Sequence, residues 1–285
     1  MITPFPSQHV GNYLVTAISD GTMKASLALL SGIDIPSAES IQAQSGIDVP
    51  GDIHIYCYLI RGEGRTILID SGMGAVNHIG GELQPNLLAL GGDPDAIDTL
   101  LLTHGHPDHI GGLLTANGQP AFVNAQLYMP PAEAAFWLDD ERLETANERT
   151  QRNALLVRRT LDAYQPNLHL IEQENIDADI RAINLPGHTP GHTGYLIDSC
   201  DERLLIWGDI VHYPHIQLAR PEVSISFDND PVLAEATRKA IIEQVSRDKT
   251  LVAGMHFGAS AFGYIEGDVH SGYLLRPKND YDAEL

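Results

Sequence analysis

THGHPDHIGG, residues 103–112, is the stretch that decides the fold of this chain. It holds four candidate metal ligands within six residues, namely His104, His106, Asp108 and His109. Imidazoles and a carboxylate that point in different directions favour two adjacent ions, first of all Zn²⁺, with Fe, Mn or Co as alternatives. The competing interpretation is a polar loop of ordinary surface histidines. It is disfavoured because so dense a cluster is costly without a cation.

Three later residues complete the candidate metal site, and each follows an apolar strand and a glycine. They are His188 in LPGHTPGH (185–192), Asp209 at the end of LLIWGD (204–209) and His256 at the end of LVAGMH (251–256). The glycine permits a tight turn, and the strand holds the ligand rigidly. His192 lies in the same loop as His188 and is the rival ligand there.

The segments around these residues either alternate between apolar and polar side chains or are continuously apolar, and both patterns predict strands. Helices are predicted between these strands and after them. A hairpin is expected at 54–70, and residues 131–164 have a helical composition. Asp230 is the expected N-cap of a helix over 231–247. Further strands are predicted at 97–103, 168–171, 180–185, 193–198, 203–207 and 250–253. The pattern indicates two packed sheets with helices outside, in one α/β domain.

Composition limits the classes of function. The 285 residues are 43% hydrophobic, which supports one large domain with a sizeable core. The 17 basic and 38 acidic residues give a net charge of −21, which repels nucleic acid and anionic membrane surfaces. There is no bilayer-spanning apolar run and no signal-peptide pattern, and two cysteines are too few for a disulfide framework. We therefore expect a cytoplasmic protein with no nucleic-acid or membrane partner.

The His-x-His-x-Asp-His motif, with His188, Asp209 and His256, resembles the metallo-β-lactamase superfamily. The resemblance covers nearly the whole chain and implies an αβ/βα four-layer sandwich, a single domain over 1–285. It also implies two ligand sets. His104, His106 and His188 would hold one ion, and Asp108, His109 and His256 the other, with Asp209 bridging. Asp70 fits the early aspartate that supports the metal-site loop through hydrogen bonds, and His192 takes a structural role.

Departures from the other branches narrow the resemblance. His106 stands where the flavodiiron proteins have Glu, and Asp209 stands where secreted β-lactamases have Cys. Only 29 residues follow His256, which we expect to be too few for the helical domain of glyoxalase II. The stretches at 208–231 and 254–265 resemble the N-acyl homoserine lactonase and methyl parathion hydrolase branch. Lactonases of that branch often carry a Tyr three residues after the bridging Asp, a position that His212 occupies here, with Tyr213 next to it.

The resemblance implies a dinuclear metal-dependent hydrolase in which a metal-bridging hydroxide attacks a lactone or ester carbonyl. N-acyl homoserine lactones are the expected substrate type, with promiscuous aryl ester or phosphotriester hydrolysis. Asp108, Asp209 and His212 are the catalytic candidates. Two alternatives stay open: a mononuclear iron oxidoreductase like the persulfide dioxygenases, and a non-catalytic metal-binding protein. A homodimer is also considered, since many relatives form one.

Substrate selection is expected from loops around the metal edge. These are a flap at 32–52, a helical insertion at 131–164 and the tail loop after His256. Apolar side chains on such loops suit an acyl chain or an aromatic group. The candidate substrate contacts are Trp137, Tyr213, Phe262 and Tyr264. For each of them the alternative is ordinary packing.

Overall fold

A computed structural model describes residues 5–74, 76–171 and 175–278. In chain order its strands are β1 (Ser7–Val10), β2 (Tyr13–Lys24), β3 (Leu30–Ser31), β4 (Asp52–Gly62), β5 (Arg65–Ile69), β6 (Thr99–Leu101), β7 (Gln126–Met129), β8 (Leu168–Leu170), β9 (Ile180–Asn184), β10 (Thr193–Ser199), β11 (Glu202–Ile206), β12 (Ser224–Ile225), β13 (Leu251–Ala253), β14 (Phe262–Asp268) and β15 (Gly272–Pro277). The α-helices are α1 (Ile35–Gln44), α2 (Leu83–Ala89), α3 (Pro107–Ile110), α4 (Pro131–Leu138), α5 (Asp140–Glu144), α6 (Glu148–Tyr164), α7 (Pro214–Gln217) and α8 (Pro231–Asp248).

Two mixed sheets carry the fold. One has the strand order β1-β2-β4-β5-β6-β7-β8 and the other β15-β14-β13-β11-β10-β9, while β3 and β12 form a small separate pair. Strands β5 to β8 are parallel to one another, as are β11 and β13. Parallel neighbours end at the same edge of their sheet, so β11 and β13 bring the loops of Asp209 and His256 to one edge of the second sheet, while β6 of the first sheet leads into the loop of His104.

Strand alternation assigns each apolar side chain to a layer. Ile67 and Ile69 of β5 point into the core between the sheets, whereas Leu68 packs with the outer helices α2, α4 and α6. Leu205 of β11 likewise points outward, into the cluster that contains Ile241 of α8. Successive strand residues face opposite sides, so an unbroken apolar run is buried on both faces. The resulting helix–sheet–sheet–helix order confirms the predicted αβ/βα sandwich.

Most predicted elements are confirmed, including the hairpin β4–β5 and helix α8, where the Asp230 side chain accepts the Leu233 N–H at 3.0 Å. The 131–164 segment is helical, but it forms three helices. A new helix begins after Asp139 and another after Asn147. The side chains of these two residues accept the backbone N–H of Arg142 and of Thr150, respectively. Among the described residues, no helix is long and apolar enough to cross a membrane.

Two segments differ from expectation. The predicted flap at 32–52 contains helix α1, which begins because Asp34 accepts the Ser37 N–H at 2.9 Å. The segment after His256 forms the antiparallel hairpin β14–β15 instead of a loop. Phe262 of this hairpin is fully buried against Tyr58 in the core, where truncation to Ala would cost about 3–5 kcal/mol.

Candidate metal centre

Three histidine nitrogens converge at the first candidate ion position. His104 and His106 follow strand β6, and His188 follows β9. The Nδ1 atom of His106 lies 2.9 Å from the Nε2 atoms of both His104 and His188. Three imidazole nitrogens directed at one point match the ligand chemistry of a divalent transition metal. This group coincides with the first ligand set that the resemblance implied.

The second group comprises Asp108, His109, Asp209 and His256, whose ligand atoms lie within 4.8 Å of one another. Asp209 links both groups. Its Oδ2 atom lies 3.2 Å from His109 Nε2 and 3.6 Å from His188 Nε2, and its Oδ1 atom lies 3.1 Å from His256 Nε2. The structure therefore brings all seven predicted ligands together, with Asp209 between the two groups.

Oxygen atoms behind the histidines orient their rings. The Nδ1 atoms of His109, His188 and His256 lie 2.6, 2.9 and 2.6 Å from Asp70 Oδ2, Asp228 Oδ1 and the His54 carbonyl. In the neutral ring, which is the form that binds a metal ion, an Nδ1–H that donates to oxygen leaves the Nε2 lone pair facing the site. Carboxylates and carbonyls commonly fix metal-binding histidines in this way. The supporting role predicted for Asp70 is confirmed.

Several buried polar atoms of the site lack a hydrogen-bond partner within the described part of the chain and could instead bind a cation. The Nε2 atoms of His109 and His256 and the Oδ1 atom of Asp209 are buried without a hydrogen-bond partner among the described residues. The Nε2 atoms of His109 and His256 lie 3.2 and 3.1 Å from the carboxylate oxygens of Asp209, within ion-pair distance. Buried polar atoms are normally satisfied, and nitrogen and carboxylate donors together suit Zn²⁺. The residues present therefore fit a divalent metal centre.

The protein environment shifts the pKa values of the candidate ligands towards the protonation states that bind a metal ion, both for His104 and His106 and for Asp209. Burial lowers the pKa of His104 and of His106 well below the usual value, which keeps these rings neutral, as metal binding requires. Burial opposes ionisation of Asp209, but His109, His256 and His212 outweigh it and hold the Asp209 pKa well below its usual range. The Asp209 carboxylate is therefore ionised.

Glu133 joins the two loops that carry the first ion's histidines, a role that sequence reasoning missed. Its Oε1 atom accepts the Gly105 N–H at 2.8 Å and the Trp137 Nε1–H at 2.7 Å. Its Oε2 atom accepts the Thr189 hydroxyl at 2.5 Å and the Gly191 N–H at 3.2 Å. The available signal was an acidic residue one helical turn before a tryptophan in a largely apolar helix.

His192 supports Asp209 from behind. Its Nδ1 donates to the Leu185 carbonyl at 2.8 Å, and its Nε2 accepts the Asp209 N–H at 2.9 Å. Burial, with the nearby His188, lowers the pKa of His192 to about 3, so the ring stays neutral. A Cβ at position 208 would lie 2.4 Å from the His192 Nε2 atom, which explains the glycine there.

His212 lies beside the Asp209 carboxylate. Its Nε2 atom is 3.1 Å from Asp209 Oδ2, and its ring stacks on His256 with centroids 5.3 Å apart. Neither ring nitrogen has a hydrogen-bond partner among the described residues. The atoms of His188, Asp209 and His212 also form a third group that could hold an ion. His212 therefore lies among the candidate ligands, beside Asp209 and His256.

A cavity of about 530 Å³ opens in front of the second ligand group. Its apolar lining includes Met23, Met73, Ile79, Leu156 and Phe227, and its polar lining includes His106, Asp108, Asp209, His212 and His256. A smaller cavity of about 300 Å³ lies on the other side of His212 and His256, against residues 46–49. Part of the predicted flap therefore borders the site.

The four predicted substrate contacts lie in different places. Tyr213 is buried, donates its hydroxyl to the Gly51 carbonyl at 3.0 Å and lines the smaller cavity. Trp137 packs edge-on against His106 and supports it. The structure corrects the other two. Phe262 belongs to the core, and Tyr264 lines a separate cavity that contains none of the candidate ligands.

Comparison with known proteins identifies the family. The profile of the metallo-beta-lactamase superfamily matches residues 50–256, and the chain belongs to this superfamily. A comparison with curated protein sequences found no match.

Solved structures extend the likeness. The hydrolase AbOPH of the beta lactamase superfamily is 29% identical, with a TM-score of 0.90 over 99% of this chain and 100% of that one. AidC, a dizinc quorum-quenching lactonase, is 25% identical, with a TM-score of 0.89 over 96% of this chain and 97% of that one. A mutant of AiiA from B. thuringiensis shares the fold at 22% identity, with a TM-score of 0.61 over 87% and 94%. The predicted class, a metal-binding hydrolase similar to the lactonase branch, is confirmed.

Proposed function

We propose that the protein is a dinuclear metal-dependent hydrolase that opens lactones or cleaves related esters. The observation that carries the proposal is the position of Asp209, which lies between two complete ligand groups and at the floor of the 530 Å³ cavity. A carbonyl group in this cavity would meet both groups at once. N-acyl homoserine lactones are the first substrate class to test, because AidC was solved with an N-acyl homoserine product.

Each residue has a defined part in this reaction. Two divalent ions, when bound, would polarise the carbonyl oxygen and supply hydroxide near neutral pH. Asp108 and Asp209 provide the carboxylate charge of the site, and Asp209 is within reach of His212 for proton exchange. His212 faces the cavity and would carry the proton that Asp209 takes from the attacking water to the leaving oxygen. Phe227 and the methionine side chains exclude water from the acyl part of the substrate.

The second ligand group favours a two-ion hydrolase over a one-iron oxidoreductase. Asp108, His109, Asp209 and His256 provide one carboxylate or imidazole ligand each, as densely placed as the first group. A mononuclear centre would leave these buried groups without a cation. Zinc is the proposed metal, with Fe, Mn or Co as alternatives. A homodimer and a cytoplasmic location remain predictions.

A pH-indicator screen of metal-loaded protein tests the function. We expect hydrolysis of at least one class among acyl homoserine lactones, simple lactones, aryl esters and phosphotriesters. Chelation should abolish it, and Zn²⁺, Mn²⁺ or Co²⁺ should restore it. His106→Ala and Asp209→Ala should both lose turnover and metal. Turnover that persists in either variant would contradict the site assignment, and a fully loaded protein without activity on any class would contradict the function.

A further inference from the structure

Helix α6 is a basic element in an acidic molecule. The chain has 17 basic and 38 acidic residues, yet α6 carries four arginines and only two acidic residues. Arg158 is occupied within the fold, since it donates to the Trp137 carbonyl at 3.1 Å and pairs with Asp140 at 2.7 Å. The other three, Arg149, Arg152 and Arg159, line the cavity that contains the candidate metal ligands.

Arg149 is the arginine best placed to bind a ligand. Its guanidinium lies 4.1 Å from the centre of the Phe227 ring, which holds it at the cavity wall. It also lines a smaller cavity beside His106, so it stands close to the first ligand group. In the part of the chain that the structure describes, Arg149 and Arg159 make no hydrogen bond or ion pair, while Arg152 lies 3.6 Å from the exposed Glu148.

Most of the remaining cavity wall is apolar, with Asn77 and Asn153 as its polar side chains. Met23, Met73, Val76 and Ile79 line it together with Leu156 of α6. The cavity thus combines three surfaces: the metal-ligand floor, an apolar wall and a strip of guanidinium groups. A substrate that uses all three has an electrophilic carbonyl, a hydrocarbon spacer and a negative charge.

We propose, on the basis of the function proposed above, that the natural substrate carries an anionic group remote from the scissile carbonyl, and that Arg149 binds it with help from Arg152 and Arg159. A guanidinium binds a carboxylate through paired, charge-assisted hydrogen bonds. A molecule of net charge −21 repels anions at long range. The arginine strip supplies the local positive potential that an anionic substrate needs in order to enter.

Two matched esters test this specificity on the metal-loaded protein. Mono-4-nitrophenyl suberate ends in a free carboxylate, and methyl 4-nitrophenyl suberate is its neutral counterpart. The wild type should show the higher kcat/KM for the carboxylate ester. Arg149→Gln should lower the ratio of the two kcat/KM values at least about tenfold, or ~1.4 kcal/mol. Arg149→Lys should retain part of the ratio, because the charge remains but the paired geometry is lost.

Arg247→Gln is the matched control. It removes one arginine charge from α8, where Arg247 pairs with Asp248 outside the cavity, and the ratio should stay at the wild-type value. An unchanged ratio in Arg149→Gln, or a wild type that prefers the neutral ester, would overturn the proposal. An equal fall in kcat for both esters would also overturn it, because it would indicate that Arg149 acts on the scissile carboxyl group, which both esters share.

Calorimetry separates this proposal from the proposed function. The wild type should bind suberate more tightly than monomethyl suberate, and Arg149→Gln should lose that preference whether or not any ester is turned over. The preference without any hydrolysis would contradict the function alone. Hydrolysis without the preference would contradict the anion site alone.

Discussion

We predict that His212 acts on the reaction without being a ligand of either principal group. It lies 3.1 Å from Asp209 and faces both cavities. We expect His212→Ala to lower kcat by about 10²–10⁴-fold, the usual range for a lost acid–base group, and to retain two ions per chain. Kinetics and metal analysis on the same preparation would check this. Loss of an ion would show that His212 is a ligand instead.

Asp70 controls the ring of His109. Its carboxylate accepts the Thr103 N–H, the Thr103 hydroxyl and His109 Nδ1–H, and its backbone has a φ of 57°. Asn tolerates this φ, but its NH₂ group cannot accept the donors that Asp70 accepts. We predict that Asp70→Asn lowers metal affinity or kcat/KM by about 10–100-fold. Chelator-competition titration measures this, and wild-type affinity would contradict the assigned orientation.

Glu133 provides a test that separates the two ligand groups. Its carboxylate accepts hydrogen bonds from the loops of the first ligand group and from Trp137, so Glu133→Gln leaves one pair of donors facing an NH₂ group. The expected result is selective loss of one ion at a chelator concentration that leaves the wild type with two. Equal loss of both ions would indicate a general destabilisation and contradict a role specific to the first group.

The ligands could be predicted from sequence because their motif is local and dense, whereas the residues behind them could not. Glu133 and Asp228 are single acidic residues in ordinary contexts, and only the folded chain shows which donors they meet. Phe262 was expected at the substrate because it follows His256 closely. The structure shows that strand alternation in β14 directs it into the core.

Strands were predicted better than the segments that cover the site. Continuous apolar runs identified β4, β5 and β11, since both faces of these strands are buried. Helix α1 was missed because the segment 32–52 is rich in Gly, Pro and Ser, a composition that indicates a loop. The same segment also contains Asp34 and Pro36, which are typical residues at the start of a helix. Its apolar contacts, including Ala38, come from tertiary packing that sequence periodicity does not show.

The junction of β5 and β6 has a predicted pH dependence. Partial burial opposes ionisation of Asp98, but hydrogen bonds from Thr99, the Thr66 N–H and Arg65 outweigh it and lower the Asp98 pKa. Because the pKa is lower in the folded state, the ionised carboxylate stabilises the protein fully above the unfolded carboxyl pKa of about 4. This stabilisation is lost as the pH falls through the pKa of the folded state.

Asp98→Asn should therefore lower the Tm by about 1–3 °C at pH 7, since a partly exposed pair contributes little. The difference from wild type should shrink as the pH falls below about 4. Thermal unfolding of both proteins from pH 3 to 7 measures it. A difference that grows as the pH falls would contradict the ionised role of Asp98.

The metal centre joins distant parts of the molecule, since its ligands come from loops of both sheets across positions 104 to 256. Ions that bind the folded state and not the unfolded chain stabilise it by mass action. At about 1,000 times the Kd this amounts to ~4 kcal/mol, which for a chain of this size corresponds to roughly 10 °C in Tm. Calorimetry with and without chelator should show this difference, and equal Tm values would contradict a shared centre.

Zinc titration of the metal-free protein, with hydrolysis of a lactone or ester substrate followed at each step, tests the central claim most directly. We predict saturation at two ions per chain, with full activity only after the second ion binds. Saturation at one ion with full activity, or two bound ions without hydrolysis, would contradict a dinuclear hydrolase.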